Sequence, residues 1–328
     1  MLELVLRPKC TALHNALRNL LFNPLRNPLR VPIFAADNRP GDDFNELSFM
    51  PEGPEIFLAS QAVHAAVAGQ PITLQLLHPA LEARARALRN TSIVRVHARS
   101  KAMLTEFSNG VVLYSHNQLY GEWVVHAVGE ALLNRQVRLV ISTARHRVVL
   151  YSATDFAWLH AGRENAHPYI AKLGPEVLNA GVSAQQIALR LAQFPRRVIA
   201  DALLDQHVIA GLGNYLRADI LWVARIDPLC KIAALTHADL VRIGKACKQL
   251  TQRSVRQGGV TRPWAQYVAA RASLAGVGTA ESRGYEAARF YAFDREDAPC
   301  WACAAPIART TQGGRALYYC PQCQNRPA

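Results

Sequence analysis

No stretch of this chain approaches the roughly 18 consecutive apolar residues that a bilayer-spanning helix needs, because Arg, His, Asn or Asp interrupts every apolar run. A spanning helix is excluded, and a soluble, cytoplasmic protein is expected. Acidic residues are scarce beside basic ones: 24 Asp and Glu face 37 Lys and Arg, which leaves a net charge of +13. That imbalance points to a polyanionic partner, nucleic acid first and an anionic membrane surface second. Cysteine is too sparse and too irregular for a disulfide framework. Of seven, four fall in two Cys-x-x-Cys pairs, while Cys10, Cys230 and Cys247 stand alone, a pattern that suits metal binding in a reducing compartment. Half the residues are apolar, so a chain disordered over most of its length is excluded as well.

The 328 residues leave room for two or three domains. Residues 1–49 differ from the rest. They carry Asn23-Pro24-Leu25-Arg26 followed at once by Asn27-Pro28-Leu29-Arg30, and prolines at this density prevent a long helix. Nearly all the net positive charge belongs to residues 50–328. An Arg-rich transit peptide fits the first 35 residues, but Asp42, Asp43 and Glu46 argue against it. We read 1–49 as an extension outside the mature enzyme, with translation starting at Met50.

From Glu55 to Val67 the apolar residues follow helical spacing, and Gly69 suits the position just past the end. Seven short runs rich in Val, Ile, Leu and Tyr follow, at 72–77, 93–98, 102–107, 111–115, 122–126, 137–143 and 147–152, which predicts an antiparallel sandwich or barrel within 50–173. After Gly174-Pro175 the pattern turns helical: a helix capped by Ser183, one over 197–204, one opening after Gly211-Leu212-Gly213-Asn214, and one from Thr236 to Val255. Residues 256–289, rich in Gly, Ala and Arg, show no clear period and read as a long loop or linker closing the region 174–289. A Cys-bearing module occupies 290–328. The fold class is therefore α+β and multidomain.

The sharpest local signal is Cys300-x-x-Cys303, sixteen residues, then Cys320-x-x-Cys323. Two tight knuckles at that spacing can give four thiolates to one tetrahedral Zn²⁺. With all four positions filled by Cys the ion is structural, not catalytic. Between the pairs, Gly313-Gly314 signals a hairpin turn, followed by Arg315. Three further strings have plain readings in isolation. Met50-Pro51-Glu52-Gly53-Pro54-Glu55 is a turn before a helix; Ser115-His116-Asn117-Gln118-Leu119-Tyr120-Gly121 is a hairpin loop. Ala210-Gly211-Leu212-Gly213-Asn214-Tyr215-Leu216-Arg217 is either a helix corner or an anion site made of free N–H groups.

In this order the four strings closely resemble the formamidopyrimidine-DNA glycosylase and endonuclease VIII family of DNA repair enzymes, over residues 50–328. Gly53 and the Gln118-Leu119-Tyr120 string are most like the bacterial endonuclease VIII branch. The resemblance implies an N-terminal β-sandwich with a leading helix, a helix-two-turn-helix domain and a zinc finger. It implies a monomer whose partner is double-stranded DNA bearing oxidised bases or abasic sites. It also implies roles: Pro51 as nucleophile, Glu52 as general acid and base, Glu55 as supporting carboxylate, and Lys101, Asn214 and Arg315 on phosphates, with Lys101 also assisting elimination. Gln118, Leu119 and Tyr120 would fill the gap left by an extruded nucleotide.

A peptide nitrogen held in amide resonance cannot attack carbon, so Pro51 acts only as a chain terminus. The expected activity is a bifunctional glycosylase and abasic-site lyase for oxidised pyrimidines. Two alternatives remain: an oxidised-purine or formamidopyrimidine glycosylase, and a non-catalytic binder of damaged DNA if residues 1–50 are retained. Loss of zinc is expected to disturb the Arg315 hairpin without removing any group from the Pro51 site. Three positions depart from the family pattern: Ser100 and Asp297 replace glycine, and Asp219 replaces glutamate.

Overall fold

The computed structural model describes residues 51–274 and 287–324, all within one compact unit. The expected extension 1–49 and its removal lie outside the described residues. No helix among the described residues is long and apolar enough to cross a membrane.

The chain enters helix α1 (Gly53–Val67), whose inward stripe includes Ile56, Ala59, Val63 and Val67; Gly69, at φ +67°, turns the chain away just past its end. Then come β1 (Thr73–Leu76), the short α2 (Pro79–Glu82), and strands β2 (Ile93–Arg99), β3 (Ala102–Phe107), β4 (Val111–His116), β5 (Glu122–Ala127), β6 (Val137–Ser142), β7 (His146–Tyr151) and β8 (Asp155–His160). They form two four-stranded sheets, ordered β1-β6-β7-β5 and β2-β3-β4-β8, with every pairing antiparallel. Strand β8, absent from the expected seven, is an edge strand that among the described residues pairs with β4 alone. Its residues are partly covered on both faces, so it lacks the alternation by which a half-buried strand announces itself.

The turn at 100–101 and the loop 117–121 lie at the same end of the second sheet, because Ala102 pairs with His116. The sheet's outer face is covered at that end by α3 (Pro168–Ala171), where Tyr169 and Ile170 pack on Leu104, Val112 and Tyr114.

Helices α4 (Ala184–Ala192), α5 (Ile199–Leu204), α6 (Asn214–Ala224) and α7 (His237–Arg256) enclose the largest core cluster, including Leu191, Leu203, Leu216, Leu221, Ile243 and Leu250. Ser183 and Thr236 begin α4 and α7 with capping boxes. Within 256–289, expected to be a linker, residues Trp264–Leu274 form helix α8 directly after Pro263. The alanines in it favour helix by propensity while blurring the apolar stripe, since among its described side chains only Tyr267 and Ala270 are buried. A two-stranded hairpin, β9 (Ala308–Gln312) and β10 (Arg315–Tyr319), turns at Gly313-Gly314 between the two cysteine pairs.

Candidate active site

Two glycine-containing strings meet face to face at the start of α1. The Gly53 N–H donates to the Gly211 carbonyl at 2.9 Å, and a Cβ on Gly53 would lie 2.7 Å from that oxygen. Beside this contact the Glu52 carboxylate accepts from Gly213 N–H at Oε2 (2.7 Å) and from Tyr215 N–H at Oε1 (2.9 Å). The free N–H groups at the mouth of α6 thus hold a side chain of this protein. Glu52 in turn donates its backbone N–H to Glu55 Oε2 at 2.9 Å, while Tyr215 Oη donates to Glu55 Oε1 at 2.8 Å and bonds Ser254 of α7.

Both carboxyls are buried, Glu52 at 3% exposure and Glu55 at 5%. Burial pushes the Glu52 carboxyl up to about 8, against the lowering charge of Lys101; Glu55 adds a raising contribution, and the two N–H donors lower it. Glu55 is also raised, by burial, although Tyr215 and the Arg289 guanidinium pull the other way. Burial thus favours the protonated form of Glu52. Pro51, half-buried, precedes it directly.

Lys101 sits on the β2–β3 turn close enough to act electrostatically on Glu52, and burial lowers its own pKa. The turn depends on Ser100 at φ +58°, a left-handed conformation that glycine adopts more cheaply. Here the serine side chain offsets that strain: its hydroxyl donates to Gln206 Oε1 at 3.1 Å and accepts from Tyr169 Oη at 3.2 Å, and its N–H donates to Glu176 at 2.8 Å. Gln206 also accepts from Gly211 N–H and donates to Leu212 O, so one amide fixes both the lysine turn and the glycine turn.

Arg315 is exposed at the start of β10, and its charge acts on both Lys101 and Arg217. Asn214 donates its amide to Ala316 O at 3.0 Å and accepts from Arg217, which also reaches Ala316 O at 2.8 Å. Asn214 leads α6, the same turn that grips Glu52, and it is tied to the hairpin the cysteines support.

Gln118 lies at φ +51° with its amide oxygen accepting from Thr154; Leu119 and Tyr120 are large apolar side chains left 41% and 56% exposed on the loop tip. The sequence reading missed Tyr215, Gln206, Arg217 and Arg289. Tyr215 and Arg217 sit inside the string 210–217 already singled out, but nothing in one sequence tells a buried polar organiser from a solvated one. Arg217 is fully buried, with Nε and Nη1 lacking a partner among the described residues, and desolvation lowers its pKa to about 10.

Residues 50–156 match the formamidopyrimidine-DNA glycosylase N-terminal domain, and residues 173–263 match the formamidopyrimidine-DNA glycosylase H2TH domain. Endonuclease 8 of Klebsiella pneumoniae subsp. pneumoniae is 36% identical over 281 residues, covering 84% of this chain and 100% of that protein. The chain belongs to the formamidopyrimidine-DNA glycosylase and endonuclease VIII family. Endonuclease 8 of an Escherichia coli strain is likewise 36% identical, over 282 residues and the same shares of each chain. In fold, this family member is similar to Lactococcus lactis formamidopyrimidine-DNA glycosylase bound to DNA containing an abasic site, with a TM-score of 0.69, 19% identity, and 84% and 100% of the chains covered.

The fourfold cysteine cluster fits the family's zinc finger. Its sulfur atoms all lie within 4.8 Å of one another, with Cys300 and Cys323 at 3.8 Å and Cys303 and Cys320 at 3.5 Å. Tetrahedral zinc with bonds of about 2.3 Å needs sulfur separations of about 3.8 Å. Asp297, the second departure from glycine, lies at φ +60°. Asp219, the third, is fully buried and accepts backbone N–H from Tyr291, Ala292 and Phe293 as well as the Thr261 hydroxyl.

Proposed function

We propose that this chain is a bifunctional DNA glycosylase and abasic-site lyase of base excision repair, acting on oxidised pyrimidines through Pro51 as a terminal amine. The observation that supports it most is the buried Glu52 carboxyl, gripped by the N–H groups of Gly213 and Tyr215 directly beside Pro51, with Lys101 nearby.

In this reading the neutral Pro51 nitrogen attacks C1′ of an extruded nucleotide. The N–C1′ bond forms as the glycosidic bond breaks and the base leaves with that electron pair. Glu52 gives its proton to the sugar ring oxygen, opening the ring, and loss of the proline N–H proton leaves an iminium. The cationic nitrogen then draws electrons as C2′ loses a proton and the 3′ phosphate departs. Lys101, Asn214 and Arg315 hold the flanking phosphates. Gln118, Leu119 and Tyr120 enter the stack, and the exposure of the latter two suits that use. Four thiolates on one zinc ion would stiffen the hairpin that presents Arg315 and anchors Asn214.

The likeness to endonuclease 8 proteins at 36% identity supports the pyrimidine assignment. The purine alternative draws on a solved relative bound to carbocyclic 8-oxo-G DNA, at a TM-score of 0.69 and 19% identity. The test uses protein that begins at Pro51 and protein that retains residues 1–50, with duplexes carrying 5-hydroxyuracil or 8-oxoguanine and borohydride present. A covalent adduct with the shorter protein on the pyrimidine lesion is expected. Adducts mainly on 8-oxoguanine would transfer the assignment to purines. Binding without any adduct would make the chain a damaged-DNA binder.

A further inference from the structure

Trp301 lies between Cys300 and Cys303, where an indole contributes nothing to metal ligation. Its ring is sandwiched by two guanidiniums, Arg262 at 3.7 Å and Arg295 at 3.8 Å from the centroid, and its Nε1–H donates to Phe290 O at 3.1 Å. Both arginines are buried and do a second job. Arg262 donates to Ala288 O at 3.0 Å; Arg295 donates to Tyr291 O at 2.9 Å and Pro299 O at 2.8 Å.

The carbonyls of residues 288, 290 and 291 are thus fixed by one stack, and that of Arg289 accepts from Thr261. Two like charges across one ring repel each other, and Asp219, buried close by, offsets this while holding the N–H groups of 291–293. The segment so held carries Arg289, whose guanidinium occupies the space above the bare Cα of Gly259 next to the Glu55 carboxylate. Glu55 accepts the backbone N–H of Glu52.

We propose that Trp301 is a positioning residue: its stack between Arg262 and Arg295 fixes residues 288–291, so that folding of the first cysteine knuckle sets where Arg289 stands against the Glu52–Glu55 pair. The inference rests on the glycosylase reading and extends it. The knuckle serves base excision by a route separate from Arg315 and its phosphate contact.

The test compares zinc-loaded parent, Trp301→Ala, Trp301→Phe and Arg262→Gln. The measurements are zinc content, amide hydrogen exchange over 287–293, duplex affinity, and single-turnover excision from a 5-hydroxyuracil duplex. Trp301→Ala is expected to retain zinc, to exchange about tenfold faster over 287–293, and to excise about tenfold more slowly at parental duplex affinity. Trp301→Phe, which keeps a ring face without the N–H, is expected in between. Parental exchange, parental excision, or an excision loss matched by an equal affinity loss overturns the proposal. If Trp301→Ala fails to hold zinc, Arg262→Gln decides by the same criteria, since Arg262 lies outside the knuckle. If the parent itself excises nothing, the functional reading has failed, and the clamp stands or falls on exchange alone.

Discussion

Gly213 and Glu52 divide a space that only one of them can fill. The glycine N–H donates to Glu52 Oε2 at 2.7 Å, and a Cβ on Gly213 would stand 2.3 Å from the Glu52 carboxyl carbon. The glycine is bare because the catalytic candidate lies where its side chain would be.

Gly213→Ala is accordingly expected to displace the Glu52 carboxyl, costing about 1–3 kcal/mol of stability by overpacking. Excision should fall about a hundredfold or more with the loss of a placed acid. Thermal denaturation and single-turnover excision check both, and parental values in both would remove Glu52 from the chemistry.

The raised Glu52 pKa makes two pH predictions. As an acid, Glu52 loses its proton as pH rises through about 8, so the excision rate should decline above that value. In the folding equilibrium, a carboxyl near 8 when folded and 4.5 in its ordinary state binds more protons folded between those values. Its contribution to stability is complete below about 4.5 and is lost as pH rises through about 8. Glu52→Gln should abolish excision, retain duplex binding, and flatten this dependence in melts across pH 5 to 9; an unaltered slope in the variant would show that another group titrates.

Arg315→Ala should weaken binding to all duplexes about equally and reduce the log–log salt slope by about 0.9, the share of one phosphate contact. A salt titration of parent and variant on one lesion duplex measures it. An unchanged slope would leave Arg315 as solvated surface.

Removing zinc, or substituting Cys320→Ser, should release the hairpin and with it the Ala316 carbonyl that Asn214 and Arg217 share. We expect a lower melting temperature and loss of both duplex affinity and excision. Loss of affinity alone, with excision intact at saturating DNA, would show that the α6 turn stands without its hairpin.

Much of this site was legible because its chemistry is written in strings. Pro51-Glu52, Gly211 to Asn214 and the four cysteines each keep their partners at fixed short spacings, and the seven expected strands carried plain alternation or apolar runs. What stayed hidden depends on distance in sequence. The bond from Glu52 to Tyr215 spans 163 residues, and the arginine stack around Trp301 joins residue 262 to residue 295, so no local pattern marks either. Helix α8 was obscured by alanine, and β8 by equal cover on its two faces. Ser100 and Asp297, which as sequence looked like departures from an expected glycine, occupy left-handed backbone, the conformation glycine adopts most cheaply.

Ser100 also has a consequence for movement. Its hydroxyl and N–H are fastened to Gln206, Tyr169 and Glu176, and Glu176 holds Arg99 as well, at 2.9 Å. Gln206 and Glu176 belong to the helical half and Arg99 to Lys101 belong to the sandwich, so these bonds are stitches across the seam between the halves. Parting the halves at this seam would break those bonds and leave the left-handed serine turn fastened by Tyr169 alone, so the set of the turn that carries Lys101 is tied to the closure of the seam.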